Sequence, residues 1–246
     1  MISRRKNSSP PEVSVVIPVY RNRETLSELH RRLKKTLGNR RHEMIFVDDH
    51  CPRGSLRLLR TLETKHPEVK VIPLKTNRGQ HRAVLQGLSL ARGKNVVILD
   101  ADLQDPPEAI PQLLEKLREG FSAVFAGRRG RYESASRLFT SRLFKTLLHW
   151  ITGIPRDAGM FVAMDRKMAD RLLRFSASRP FLTAMMGLTG LPTVSLPVLR
   201  RKRPRGVSAY SDWKRLETGL FAVAWALRQK GLSLAFLQKI QKGAFS

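Results

Sequence analysis

The sequence predicts an α/β fold, a Rossmann-like, mostly parallel sheet flanked by helices, and three observations predict it. Five apolar runs rich in β-branched residues, at 13–19, 44–47, 69–74, 95–99 and 123–126, read as strands. Amphipathic helical patterns fill the intervals between them. Polar or acidic clusters follow directly after the first, second and fourth runs, where an open α/β sheet places its ligand crevice.

Each element follows from its local pattern. VSVVIPV is apolar at nearly every position, as a strand buried on both faces requires, and Leu26, Leu29, Leu33 and Leu37 then recur at helical spacing. MIFV ends in the paired Asp48 and Asp49, with His50 and Cys51 following in a loop where both have mainly structural roles. Leu58, Leu59 and Leu62 mark a second helix before VKVIPL, and NVVIL leads into Asp100. Ile110, Leu113, Leu114 and Leu117 form one face of a helix that Gly120 ends. After Arg128 the pattern is mostly helical, with Leu138, Phe139, Leu143, Phe144, Leu147 and Leu148 on one side. A strand-like stretch at 193–199 then runs into the basic RRKRPR. With no internal repeat and no long linker, residues 12–211 are expected to form one domain. A disordered basic arm (1–11) precedes it and a C-terminal amphipathic helical segment (212–246) follows.

The 246 residues suffice for one substantial core, and 41% hydrophobic with 27% charged residues exclude a disordered chain. The charge balance points to an anionic partner, since 46 Lys and Arg against 20 Asp and Glu leave a net +26. Nucleic acid, anionic lipid and phosphorylated substrates all satisfy that balance. The single cysteine, Cys51, excludes an internal disulfide and a multi-cysteine zinc site. No signal-type apolar stretch follows the basic N-terminus, so the expected location is cytoplasmic.

The segment NVVILDADLQDPPE carries the sharpest chemistry. Asp100, Asp102 and Asp105 gather immediately after a buried strand, where their mutual repulsion calls for a cation, and carboxylate oxygens suit Mg²⁺ or Mn²⁺. Asp105, before Pro106 and Pro107, has a second reading as the cap of the next helix. Asp48 or Asp49 is placed to accept hydrogen bonds from a nucleobase or ribose, or else to stand as a solvated turn acid. The acidic triplet argues against nucleic acid as partner, because carboxylates at the centre of a crevice repel a polynucleotide backbone.

VSVVIPVYRNRETL, IFVDDHCPRGS, NRGQHRAVLQGL and VILDADLQDPPE, in this order and spacing, resemble the family-2 inverting glycosyltransferases of GT-A fold, and within them the polyprenyl-phosphate group. Gly79-Gln80-His81 resembles the aminoarabinose-type transferases. The resemblance implies a nucleotide-sugar donor, a polyprenyl-phosphate acceptor and a metal cofactor, Mg²⁺ or Mn²⁺. Position by position it implies that Pro18, Tyr20 and Asn22 line the base pocket, with Asn22 standing where Glu is common. Val47 and Asp49 would hold the base, and Asp100 and Ala101 would contact the nucleotide. Asp100, Asp102 and Gln104 would surround the metal. Arg129 matches a phosphate-facing arginine, Asp157 and Gly159 the D-x-G-x-F segment beside the acceptor, and Arg203, Gly206, Ser208 and Tyr210 an R-x-x-G-x-S-x-Y pattern. Arg53 replaces a common Asp, and Ala209 a common Lys, whose loss removes one phosphate contact that Arg201 or Arg205 would have to supply. A soluble sugar or protein acceptor is the alternative within the same fold.

Neither 218–227 nor 231–238 reaches the roughly 20 apolar residues a membrane span needs. Trp213, Leu216, Leu220, Phe221, Ala224 and Leu227 instead fall on one helical stripe, with Lys214, Arg215 and Arg228 nearby. That pattern fits a helix lying in an anionic membrane surface, and packing on the protein's own core is its other reading. The expectation is a protein peripheral to the cytoplasmic face of a membrane, directly or through a membrane partner subunit.

Overall fold

The structure is a computed structural model that describes residues 9–129, 135–177, 179–200, 212–229 and 231. For residues 128, 129, 135–143, 212–218 and 220 the description is of the backbone. The strands are β1 (Val13–Val19), β2 (His42–Asp48), β3 (Val69–Pro73), β4 (Asn95–Ile98), β5 (Ala123–Arg129), β6 (Val162–Asp165) and β7 (Thr193–Leu199). The helices are α1 (Leu26–Leu37), α2 (Ser55–Lys65), α3 (Gln80–Leu90), α4 (Ile110–Arg118), α5 (Ala135–Thr152), α6 (Arg166–Arg174), α7 (Leu182–Leu188) and α8 (Asp212–Gln229).

The sheet runs β3-β2-β1-β4-β6-β5-β7. β1 pairs in parallel with β2 and β4, and β2 with β3, while β6 runs against both β4 and β5. β7 lies parallel to β5. Alternation along β1 explains why both faces are apolar. Val13, Val15, Ile17 and Val19 pack with Leu26, Leu29, Leu33, Leu59 and Ile110 on the side of α1, α2 and α4. Val16 packs on the other side with Ile45, Val84, Leu88, Leu172 and Met185, from β2, α3, α6 and α7. α3 lies close on β1 because Gly87 has no side chain; a Cβ there would overlap Val16 and come within 3.1 Å of Val47 Cγ2.

The strand missed from sequence is β6, VAMD, four residues long and leading straight into α6, too short to show alternation. It matters because its reversal brings the segment ahead of it, including Asp157, to the same sheet edge as the C-terminal ends of β1, β2, β4, β5 and β7. β5 also extends beyond the expected 123–126. Its pairing with β7, Arg128 with Val198 and Arg129 with Leu199, keeps the arginine run extended. β2 starts at His42, two residues early, and β3 and β4 each end one residue early, ordinary differences at strand ends.

α8 docks on α5 and α7 through a narrow stripe in which Gly219, Ala222, Val223 and Ala226 are buried. Trp225 meets Phe175 edge-on at 5.9 Å, and the Arg179 guanidinium lies 5.2 Å from the Phe221 ring centre. The described side chains of the stripe that the sequence singled out are not among the buried ones. Ala224 of that stripe is exposed and Phe221 and Leu227 are half-buried, while the side chains of Trp213, Leu216 and Leu220 lie outside the described residues. Among the described residues no helix is long and apolar enough to cross a membrane.

Candidate active site

Among the described residues, the non-glycine backbone strain sits in three loops at the C-terminal sheet edge. Arg21, His50 and Leu103, after β1, β2 and β4, are the non-glycine residues with positive φ among those described, at 59°, 54° and 60°. Such conformations cost on the order of 1–3 kcal/mol each and gather where function demands them. Cys51 braces two of these loops, its Sγ accepting from Arg21 N–H at 3.1 Å and from the Ser55 hydroxyl at 3.0 Å. This is the structural role expected of it.

The residues expected to hold a nucleotide gather here. Pro18 is buried, Tyr20 and Asn22 are half-buried at the crevice mouth, and the Arg21 guanidinium sits 5.2 Å from the Tyr20 ring centre. The Val47 side chain is wholly in the core, so any contact it makes with a base is made by its backbone. Asp49 is buried, and its oxygens accept from Arg78 N–H at 2.6 Å and Gly79 N–H at 2.8 Å, fastening the loop ahead of α3. Burial raises the pKa of Asp48 above the ordinary carboxylate value, and its Oδ1 has no hydrogen-bond partner.

In the acidic loop, Gln80 at the start of α3 donates its side-chain amide to Asp100 Oδ1. Asp102 is 5% exposed, and its Oδ1 accepts from Gln104 N–H at 3.0 Å across the strained Leu103. The Thr25 hydroxyl faces the Ala101 carbonyl oxygen as well as that of Asn22, tying the loops after β1 and β4 together. Thr25 and Gln80 escaped sequence reasoning as site-shaping residues, because their partners lie far along the chain.

Asp105 departs from both of its sequence readings. It caps no helix, since the short 3₁₀ turn Pro107–Ala109 begins at Pro106 with no side-chain cap. Nor do the three carboxylates converge as a triad of ligand atoms. Asp105 Oδ1 lies instead 3.3 Å from Arg200 Nε, with the two side chains only 3% and 8% exposed. With Asp105 beside Arg200 near the end of β7, the oxygen-bearing side chains that remain of the expected metal set are Asp100, Asp102 and Gln104. Such an oxygen-only set fits Mg²⁺ or Mn²⁺, which take one or two carboxylates and complete their shell with substrate phosphates.

On the facing side, Asp157 lies half-buried in the turn between α5 and β6 and packs against Gly127 of β5. A Cβ at Gly127 would overlap both the Asp157 carboxylate and Ser195 Oγ. Gly127→Ala is therefore expected to displace Asp157 and lower turnover by about 10²-fold, the cost of roughly ångström-scale misplacement. Steady-state kinetics beside a thermal melt is the check, and unaltered turnover would disconnect Asp157 from the reaction. Arg129 ends β5 at this edge, its side chain outside the described residues. Arg131, Arg201, Arg203, Arg205, Gly206, Ser208, Ala209 and Tyr210 lie outside them altogether.

His81, one residue after Gln80, stacks on Phe181 at 4.9 Å between ring centres, and its Nδ1 accepts from Leu182 N–H at 3.4 Å. Burial pushes its pKa down to about 4. Between that value and the ordinary pKa near 6.5 the unfolded chain binds the extra proton. The stability contributed by neutral His81 is thus complete above about pH 6.5 and is lost as pH falls toward 4, by on the order of 3 kcal/mol. His30 is also depressed, by burial and then by His66, so the test is a difference. His81→Gln keeps an acceptor for Leu182 and should flatten the pH dependence of urea midpoints over that window; equal slopes would refute the assignment.

Residues 14–178 match the model of "Glycosyl transferase family 2". The chain belongs to that family. It is 33% identical to an uncharacterized glycosyltransferase, YkcC, of Bacillus subtilis, covering 91% of this chain and 71% of that relative. It is 37% identical to the undecaprenyl-phosphate 4-deoxy-4-formamido-L-arabinose transferase of Klebsiella pneumoniae strain 342, over 82% of this chain and 64% of that one. The chain thus spans less than two thirds of the arabinose transferase. Solved family-like folds agree: a mannosyltransferase from Pyrobaculum calidifontis in complex with GDP-Man and Mn²⁺ superposes with TM-score 0.58 at 19% identity, covering 96% of this chain and 80% of that one. Glucosyl-3-phosphoglycerate synthase from Mycobacterium tuberculosis, with Mn²⁺ and UDP, gives 0.63 at 19% identity, covering 90% and 81%.

Proposed function

We propose that this family-2 glycosyltransferase moves a sugar from a nucleotide-sugar to a polyprenyl phosphate, with inversion. The observation that carries the reading is the 36–37% identity, over 82% of the chain, to enzymes named undecaprenyl-phosphate 4-deoxy-4-formamido-L-arabinose transferases. Asp100, Asp102 and Gln104 hold a divalent cation, with Pro18, Tyr20, Asn22, Val47, Asp49 and Ala101 around the nucleoside. When bound, Mg²⁺ or Mn²⁺ neutralises charge on the departing nucleoside diphosphate. Arg129 and Arg203 orient the acceptor phosphate through charge-assisted hydrogen bonds. Its oxygen is already anionic at neutral pH, so attack needs no strong general base, and approach from the face opposite the diphosphate inverts the anomeric centre. Asp157 positions a sugar hydroxyl or the acceptor.

A lipid acceptor requires the crevice to reach a membrane. Near the end of α5, Trp150 is 77% exposed and Leu147 46% exposed. α8, docked beside α5, carries the stripe read from the sequence, of which Ala224 is exposed and Phe221 and Leu227 half-buried, and the net charge is +26. We place this corner in an anionic membrane surface, where each nearby basic residue adds about 1 kcal/mol.

The test pairs a panel of nucleotide-sugars with undecaprenyl phosphate in anionic or neutral liposomes, with and without Mn²⁺. Metal-dependent transfer to the lipid and salt-sensitive sedimentation with anionic vesicles are expected. Transfer to soluble acceptors alone would overturn the lipid assignment. Transfer to the lipid without vesicle binding would move the membrane contact to a partner subunit.

A further inference from the structure

A second metal-ligating cluster lies at the other end of the sheet. Among the described residues, His30, His66 and Glu68 are the group of three potential ligand side chains whose donor atoms all lie within 4.8 Å of one another. His30 is on α1, His66 caps the C-terminus of α2, and Glu68 precedes β3. Glu68 is thus at the N-terminal ends of the strands, about 20 Å, the length of β2, from the edge that carries the acidic loop.

The ring of His30 is the second, independent observation. His30 is 5% exposed, and its Nε2 is buried without a hydrogen-bond partner, 4.0 Å from Glu68 Oε1 and so beyond hydrogen-bond reach. A buried polar nitrogen left in that state is costly. His66 Nδ1 lies 3.9 Å from the same Glu68 oxygen, and the two imidazole rings are 4.3 Å apart between centres. The backbone on which His66 and Glu68 sit is fixed. His66 N–H donates to the Leu62 carbonyl, the His66 carbonyl accepts from Val69 N–H, and the Glu68 carbonyl accepts from Met44 N–H, at 2.9, 3.0 and 2.8 Å. Lys34 Nζ, on an exposed side chain, is 3.5 Å from Glu68 Oε1 and is the cation that an ion would displace into solvent. The Nε2 of His42 is also buried without a partner.

We propose that His30, His66 and Glu68 form a binding site for a zinc-class transition ion that clamps α1 to the turn between α2 and β3. Two imidazoles and one carboxylate are the mixed nitrogen and oxygen set that Zn²⁺ takes, leaving a fourth position for water. Imidazole nitrogens also separate this site from the oxygen-only acidic loop, which suits Mg²⁺ or Mn²⁺. Tetrahedral zinc needs its ligand atoms about 3.4 Å apart, a contraction of roughly an ångström that rotation of the partly exposed His66 and Glu68 side chains supplies. Coordination through Nε2 gives His30 the partner that the protein itself does not.

The test uses the full chain stripped with a chelator, then given millimolar Mg²⁺ to occupy the acidic loop and titrated with micromolar Zn²⁺. Affinity is read by competition with a chromogenic chelator and the melting temperature in parallel. Wild type and Asp102→Asn should each bind one Zn²⁺ per chain and melt several degrees higher with it. His66→Ala and Glu68→Gln, both at partly exposed positions, should lose more than about 100-fold in affinity, beyond the 10–100-fold typical of merely supporting residues, and lose the thermal shift. Zinc binding that disappears in Asp102→Asn, persists in both cluster variants, or is absent from wild type would overturn the proposal. It does so independently of sugar transfer, which is not measured.

Discussion

Asp102→Asn is expected to lower sugar transfer by at least about 10³-fold, equivalent to about 4 kcal/mol of lost transition-state stabilisation, while leaving the melting temperature within about 2 °C of wild type. The two outcomes separate because of what Asp102 does in the fold. Its Oδ1 accepts from Gln104 N–H at 3.0 Å, and an asparagine oxygen accepts the same bond. The substitution therefore keeps the turn around Leu103 and removes the charge. Asp100→Asn should cost less, since Asp100 Oδ1 is already engaged by the Gln80 amide. Turnover measured across a Mg²⁺ or Mn²⁺ titration is the check. A variant that matches wild type at limiting metal would remove Asp102 from the metal shell.

Breaking the pair between Asp105 and Arg200 is expected to have the largest effect on stability. Both side chains are nearly inaccessible, and their closest atoms lie 3.3 Å apart. Removing either side chain takes a charged partner away from the other in a nearly inaccessible setting, at about 3–5 kcal/mol. In a chain of this size that lowers the melting temperature by about 10 °C. Arg200→Met and Asp105→Leu should each show the loss, whereas the double variant should recover much of it, because an apolar pair of similar volume avoids desolvation. Additive losses in the double variant, or single variants that melt like wild type, would show that the two residues do not act as a pair. The pair also joins the end of β7 to the acidic loop, so the single variants should weaken transfer even where they fold.

The difference between these residues shows what was legible in advance. Asp100 and Asp102 were readable because a buried strand followed by carboxylates is a local pattern, and local electrostatics alone demands a counter-charge. Asp105 stands in the same pattern and was misread as a cap or a third ligand, because its partner is Arg200, on the far side of β5 and β6. Thr25 and Gln80 were passed over for the same reason. Their hydroxyl and amide acquire meaning only against Ala101 and Asp100, 76 and 20 residues away. The cluster of His30, His66 and Glu68 was equally silent, three ordinary polar residues until α1 is laid against the turn before β3.

By itself the sequence determined the alternation of strand and helix, the position of the crevice and the family motifs, since each depends on periodicity or on neighbours within a few residues. It determined in the same way that 218–227 and 231–238 are too short to span a membrane. Only the tertiary structure decided which strand runs backward, which face of α8 is buried, where Asp105 turns and that Asp157 rests on Gly127. Those outcomes depend on pairing and packing between segments far apart in the chain. A short strand such as VAMD has too few residues to declare its direction, so its neighbours β4 and β5 declare it instead.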